Sequence, residues 1–425
     1  MSVRRSLAQW LAYIERQHPQ AIAMGLERVR EVAGRMGLKR PAKKVVVVGG
    51  TNGKGSTVAF IEAVARAAGW SVGAYTSPHL LAYNERVRID GRDATDDALV
   101  AGFEAVEVAR GETPLTYFEY GTLAALWLFA QDELDLAILE VGLGGRLDAV
   151  NLVDPDVAVI TTVDLDHQDW LGNDRETIGK EKAGIARAWK PLVLGDDDPP
   201  SSVLGHAYRI GASAVRANCD FFFEPDDAGG WRWREVNYAV DLPMPALAAP
   251  VQLRNAATAI AALRALDIPM TREAIAEGIR SAHVPGRLQR FEREGVEILV
   301  DVGHNPQAAR ALAEWLATAA ATGRTFAIFA ALGDKDVGGV VDAIAPRIDA
   351  WFRAGLEDAG PRGAAVDAFA ERLRDTPAAT GARHATVAQA LQAAREAARP
   401  GDRVLAFGSF FTVAAAITAL GSEAR

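Results

Sequence analysis

Residues 45 to 57 read VVVVGGTNGKGST. Four successive valines suit a buried β-strand, the glycines suit a tight turn, and the residues beyond Lys54 suit a helix. A strand that feeds a helix in this way belongs in a parallel sheet, because parallel neighbours need a crossover between them. The loop itself admits two readings. A standard phosphate loop has a glycine six residues before its lysine and a Ser or Thr directly after it. Here Val48 stands six before Lys54, and Gly55 follows it. The glycines still let backbone approach a phosphate, and the helix start offers unpaired N–H groups with a partial positive charge. Lys54 adds a full charge and Ser56 a hydroxyl. The competing reading is a βα turn with an exposed lysine. The order of strand, loop and helix favours the phosphate site.

Short apolar runs alternate with helical patterns along the chain, as in α/β architecture. Residues 6–16 read as an amphipathic helix, 45–48, 72–75, 136–141 and 157–163 as strands, and 57–68 as the helix after the first strand. The strand LAILEVG places Glu140 near its end, and VAVITTVDLDH ends in Asp164, Asp166 and His167. In an open parallel sheet the carboxyl ends of neighbouring strands face one crevice. A carboxylate there can hold Mg²⁺ against nucleotide phosphates. Taken singly, each of these residues reads as a solvated loop group; together, beside the loop, they point to a nucleotide site. Between 220 and 242 the character changes, and WRWREVNYAV alternates large apolar and polar residues as a half-exposed antiparallel strand would. QLRNAATAIAALRAL returns to helix. VPGRLQR at 284–290 reads as a linker, and EILVDVG, TFAIFAAL, AWFRAG and RVLAFGSF as strands of a second α/β domain. The expected division is 1–290 and 291–425, with a ligand cleft between two such domains.

Bulk properties narrow the class. With 425 residues and 49% apolar composition, large cores are feasible. A net charge of −9 argues against a duplex-wide nucleic-acid surface, though not against a small basic pocket. The longest apolar runs, such as LAALWLFA at 123–130, are too short to span a bilayer. Arg4 and Arg5 are not followed by a long apolar block, so no secretory signal is expected. Cys219 is the only cysteine, which excludes an internal disulfide and disfavours thiolate metal clusters. A cytoplasmic enzyme fits best, without nucleic-acid or membrane partners.

A series of motifs then appears in order: GTNGKGS at 50–56, TSPHL at 76–80, NERVRI at 84–89, LTYFEYGTLAAL at 115–126 and LEVGLGGRLDAVN at 139–151. DHQDWLG at 166–172, IGKEKAGI at 178–185, PGRLQ at 285–289 and DVGHNP at 301–306 continue it. In these motifs, which span nearly the whole chain, the sequence resembles the bifunctional dihydrofolate synthase/folylpolyglutamate synthase family, relatives of the Mur peptide ligases. The resemblance implies a P-loop NTPase-like domain of the Mur ligase central type, binding ATP and pterin, plus a smaller Rossmann-like α/β glutamate-ligase domain. It makes GTNGKGS a family form of the phosphate loop.

The resemblance also implies roles. Thr51, Asn52, Gly53, Lys54, Gly55 and Ser56 would cradle the ATP phosphates. Asn255, Arg287, Asp301 and His304 would complete the nucleotide site. Ser77, Glu140 and His167 would be Mg²⁺ ligands. Lys182 matches a lysine that becomes carbamylated in relatives, giving an oxygen ligand for a second ion. Lys54, Glu140, His167 and Lys182 would thus form the catalytic set, with two Mg²⁺ ions, ATP as co-substrate and a monovalent cation as the implied cofactors. Thr116, Tyr117, Phe118 and Glu119 would form one pterin wall and Leu147, Asp148 and Ala149 another, covered by the loop Ala21, Ile22, Ala23 and Met24. That loop carries Ala23 where the family has an acidic residue, and Phe411 stands where some relatives have histidine.

The implied activity, central to folate biosynthesis and one-carbon metabolism, is ATP-dependent addition of L-glutamate to dihydropteroate and to reduced folates through an acyl phosphate, by a monomer. Two alternatives stand beside it. One is a single-activity folylpolyglutamate synthase or other Mur-type amide ligase. The other is a nucleotide-controlled switch, which would bind ATP without glutamate-dependent ADP release.

Overall fold

The structure, a computed structural model, describes residues 5–20, 22–319 and 321–422. The chain divides into two compact units, Met1–Ala246 with Gln252–His283, and Leu247–Val251 with Val284–Arg425.

The first unit is built on an eight-stranded sheet: β1 (Lys44–Gly49), β2 (Val72–Tyr75), β3 (Val87–Ile89), β4 (Arg92–Asp93), β5 (Leu136–Glu140), β6 (Val157–Ile160), β7 (Pro191–Leu194) and β8 (Ser213–Arg216). Their spatial order is β4-β3-β2-β5-β1-β6-β7-β8. From β2 to β8 every neighbour runs parallel, and β3 and β4 close one edge antiparallel. Val45 to Val48 are fully buried, as a central strand covered on both faces requires. Each such side chain contributes roughly 1.5–3 kcal/mol of burial. The helix after β1 runs Lys54–Ala67, three residues earlier than its apolar pattern suggests, because it starts directly from the left-handed Gly53. Ser6 caps the helix Leu7–Ile14 through a capping box with Gln9.

The WRWREVNYAV stretch is not one strand but a hairpin. After β9 (Phe221–Pro225), β10 (Gly230–Glu235) and β11 (Tyr238–Pro243) pair antiparallel across a turn at Val236 and Asn237. The alternation holds within each strand: Trp231, Trp233, Val240 and Leu242 are buried, whereas Val236 at the turn is 92% exposed. Trp233 Nε1 donates to the Ala257 carbonyl at 3.1 Å, tying this small sheet to the helix Val251–Ala265. The helix Arg272–Ser281 packs on the helix Lys54–Ala67, and at Gly278 the approach is so close that any Cβ would strike the Val64 backbone.

The second unit holds a six-stranded sheet of β12 (Gln289–Arg293), β13 (Val296–Asp301), β14 (Thr325–Phe329), β15 (Ala350–Ala354), β16 (Ala382–His384) and β17 (Arg403–Phe407). The order is β12-β13-β17-β14-β15-β16, parallel except at β12. The four strands expected here are present. β12 begins inside the stretch that reads as a linker, and β16 is short, exposed and without an apolar run. Phe329, Phe369 and Phe407 pack together at its core. Both units are α/β, the first larger than the second.

Candidate active site

The sheet order places the candidate groups of the first unit on consecutive strand tips. β2 leads to Ser77, β5 ends in Glu140, β1 feeds the glycine loop, and β6 leads to Asp164–His167. This is the crevice that parallel strands open at their carboxyl ends.

The loop is held in shape from the β6 side. Thr51 N donates to the Thr162 carbonyl at 2.8 Å, and Asn52 N to Thr162 Oγ1 at 3.1 Å. Thr51 Oγ1 accepts from Asp164 N at 3.0 Å, and Thr161 Oγ1 donates to the Asn52 carbonyl at 2.6 Å. Gly53 has φ +89°, and a Cβ there would fall 2.5 Å from Asn255 Oδ1, so both its conformation and its neighbour require glycine. Asn255, buried on its helix, is oriented by Gln252 Oε1 at 2.9 Å. The expected nucleotide residue Asn255 and the loop are therefore adjacent. Lys54 Nζ donates to the Gly50 and Thr51 carbonyls at 3.1 and 3.3 Å, folded back over its own loop. Ser56 is buried one turn into the helix.

Glu140 is 5% exposed and accepts from Ser77 N at 3.1 Å. A Cβ on Gly55 would lie 3.7 Å from Glu140 Oε2, so the carboxylate sits against the loop. A buried carboxylate beside a serine hydroxyl and a phosphate loop fits a hard divalent cation, which takes a few protein oxygens and completes its shell with phosphate and water. Among the described residues no three His, Cys, Asp or Glu side chains converge as a self-sufficient metal cage. His167, with φ +52°, begins a short helix; its Nε2 lies 3.9 Å from Asp166 Oδ2 and its ring is about a third exposed.

Lys182 is 3% exposed on the helix Arg175–Ala183. Burial, then the like charge of Lys54, pushes its amine down to about 7, against the pull of Asp166 and Asp148. Asp148, equally buried, is pushed up to about 7 by burial, although Leu143 N and Val150 N donate to it at 2.9 and 3.0 Å and Lys54 opposes the shift. A neutral buried amine is the form that can add CO₂.

The expected pterin walls lie in the same unit. Thr116 caps the helix Tyr117–Phe129 reciprocally with Glu119, which also pairs with Arg28 at 2.9 Å. The Phe118 ring lies on Gly142, where a Cβ would come within 2.7 Å, and 6.0 Å from the Tyr75 ring. Phe118 thus lies against a residue two positions beyond Glu140. Gly25 N donates to the Leu147 carbonyl at 3.4 Å, and Arg28 to the Ala23 carbonyl at 3.0 Å, which sets Ile22 to Met24 against the second wall. Ala149 is buried beside Asp148. Ala21 lies outside the described residues.

Arg287, Asp301 and His304 belong to the second unit. Asp301, at the tip of β13, accepts from Leu288 N and Gly303 N at 2.8 and 2.7 Å. Burial raises its carboxyl, while Arg287, the two amides and His304 oppose that shift. The Arg287 guanidinium sits 5.4 Å over the Phe410 ring, and His304 Nδ1 lies 3.1 Å from the Val302 carbonyl. His79 and Arg86, in motifs quoted above, receive no role from the sequence, yet they bond to each other beside Tyr117.

The Mur ligase middle domain family matches residues 48–263, and the Mur ligase glutamate ligase domain family matches 286–410. The dihydrofolate synthase/folylpolyglutamate synthase of Escherichia coli K12 is 46% identical over 409 residues, covering 96% of this chain and 94% of that protein. The Haemophilus influenzae protein of the same name is 40% identical, covering 96% of each. Among solved structures, E. coli FolC in complex with DHPP and ADP superposes with a TM-score of 0.93 at 44% identity, covering 99% of each chain. A bifunctional folylpolyglutamate synthase/dihydrofolate synthase with Mn, AMPPNP and L-glutamate bound gives 0.91 at 45% identity, covering 98% of each. The chain belongs to the dihydrofolate synthase/folylpolyglutamate synthase family of the Mur ligase superfamily.

Proposed function

We propose that this ATP-dependent ligase joins L-glutamate to dihydropteroate, giving dihydrofolate, and to reduced folates, giving polyglutamates, acting as a monomer in the cytoplasm. The observation that carries this reading is the adjacency, in one unit, of the Lys54 loop, the buried Glu140 and the Phe118 ring at the tip of one strand.

The parts support an ordered chemistry. Thr51 and Asn52, whose N–H groups are bound to Thr162, would shape the loop. Gly53 to Ser56 offer backbone N–H groups and a helix start to the ATP phosphates, and Lys54 supplies charge where the γ-phosphoryl group leaves. Ser77, Glu140 and His167 would hold Mg²⁺, with a Lys182 carbamate helping at a second ion; bound there, Mg²⁺ neutralises phosphate charge. Phe118 offers a face to a flat heterocycle, and Asp148 an edge. The acceptor's carboxylate oxygen attacks the γ-phosphorus, and the bond to ADP breaks. The neutral amine of L-glutamate then attacks the acyl carbon, loses a proton, and inorganic phosphate leaves as the amide forms. Arg287, Asp301 and His304 place further nucleotide contacts on the second unit.

Purified protein with Mg-ATP, L-glutamate and either dihydropteroate or tetrahydrofolate should release ADP and add one glutamyl mass to each acceptor. Ala23, in place of an acidic residue in the covering loop, favours the narrower reading, which predicts a product with tetrahydrofolate alone. No glutamyl product with either acceptor overturns both.

A further inference from the structure

Two arginines of the same motif are treated in opposite ways. Arg88 is matched by a carboxylate, since its Nε and Nη2 meet Glu62 Oε2 at 3.0 and 2.7 Å. Arg86 is 9% exposed and pairs with no carboxylate among the described residues. The nearest in sequence, Glu85, is occupied, accepting from the amides of Leu80, Leu81 and Ala82 at 2.7, 2.7 and 2.8 Å. The one hydrogen bond from the Arg86 side chain runs from Nε to His79 Nδ1 at 2.8 Å. That acceptor role fixes the tautomer of His79, with its proton on Nε2. The guanidinium lies 5.2 Å from the Tyr83 ring centre and 5.5 Å from that of Tyr117.

A largely buried guanidinium with no carboxylate partner among the described residues, whose terminal nitrogens still reach solvent, is suited to a ligand that supplies the counter-charge. The His79 bond consumes Nε and sets the plane of the guanidinium, and neither terminal nitrogen has a hydrogen-bond partner among the described residues. Two parallel N–H groups in a fixed plane are the complement of a carboxylate. The position matches. The Arg86 carbonyl accepts from Thr76 N at 2.9 Å, immediately before Ser77, while the side chain reaches the Tyr117 face. Arg86 therefore stands between the aromatic wall and the strand tips where phosphoryl transfer is placed.

We propose that Arg86, oriented by His79, is the cation that holds the acceptor's carboxylate for phosphorylation. The proposal rests on the pterin-linked acceptor assigned above. Histidine at 79 serves as a positioning residue: it aims the guanidinium and does not touch the substrate.

The test is calorimetric titration of the full-length protein with dihydropteroate and with its decarboxylated analogue, which keeps the pterin and aryl rings but lacks the acid. Wild type should prefer the acid by about 10- to 100-fold, the range for a hydrogen-bonded charge pair. Arg86→Gln should bind both compounds alike, with ATP affinity and melting temperature unchanged. Arg86→Lys keeps a buried cation without the fork and should retain part of the preference; it carries the test if the glutamine variant melts early. His79→Gln should show a smaller loss than Arg86→Gln. An acid preference that survives undiminished in Arg86→Gln, or in Arg86→Lys where that variant carries the test, overturns the proposal. Equal weakening toward both compounds overturns it too. If wild type binds neither compound, the acceptor assignment itself falls, a result distinct from either of these.

Discussion

Each unit ends a parallel strand in a buried carboxylate, and the two are used differently. Glu140 at the tip of β5 sits against the phosphate loop and accepts from Ser77 N. Asp301 at the tip of β13 accepts from Leu288 N and Gly303 N, one oxygen each, and so pins the segments on both sides of its sheet edge. Under the proposed function the same position in a fold would deliver charge to a ligand in one unit, and in the other it organises backbone. Partners, rather than burial, separate the two uses.

The sharpest way to break this contrast is Glu140→Gln, which keeps shape and removes charge. Turnover should fall about 10³-fold, as when one electrostatic stabiliser is lost, while the melting temperature stays near that of wild type. A variant that unfolds early but turns over normally when folded would make Glu140 a backbone-organising group alone. The reciprocal change, Asp301→Ala, orphans two buried amides and should reduce stability by about 2–3 kcal/mol in denaturant titration. Unchanged stability would remove the backbone role. A third test concerns Lys182, which is perturbed first by burial and then by the like charge of Lys54. Its amine titrates near 7 in the folded chain, against 10.5 as a free side chain. Between those values the unfolded chain binds more protons, so stability rises with pH across that window, and the penalty is fully present below it. In CO₂-free buffer Lys182→Met should flatten the rise, by at most about 1.4 kcal/mol per pH unit. Equal slopes in the two proteins would place the lysine in water.

Period and order made much of this legible. Four buried valines, glycines and a helix start fix β1 and its loop, and β5 and β6 follow from their apolar runs. β12 was hidden because its first two residues, Gln289 and Arg290, fall in the stretch that reads as a linker, and the rest of QRFER has no apolar run. The β10–β11 hairpin was hidden because its turn is Val-Asn, without the glycine that marks such turns. In the site, Thr116 and Glu119 had two simultaneous meanings, since the spacing that matches a pterin wall is also a capping box. The Arg86–His79 bond could not be read at all, for it depends on how far Glu85 is already committed elsewhere.

The bare backbone contact at Gly278 has a mechanical consequence. The helix that presents Lys54 has a second helix braced against its main chain at Val64, where Gly278 contributes no side chain of its own. The brace falls in the second half of that helix. Under the proposed function, phosphates would meet a helix start held from behind, and a methyl group added at Gly278 would press on the helix that carries Lys54.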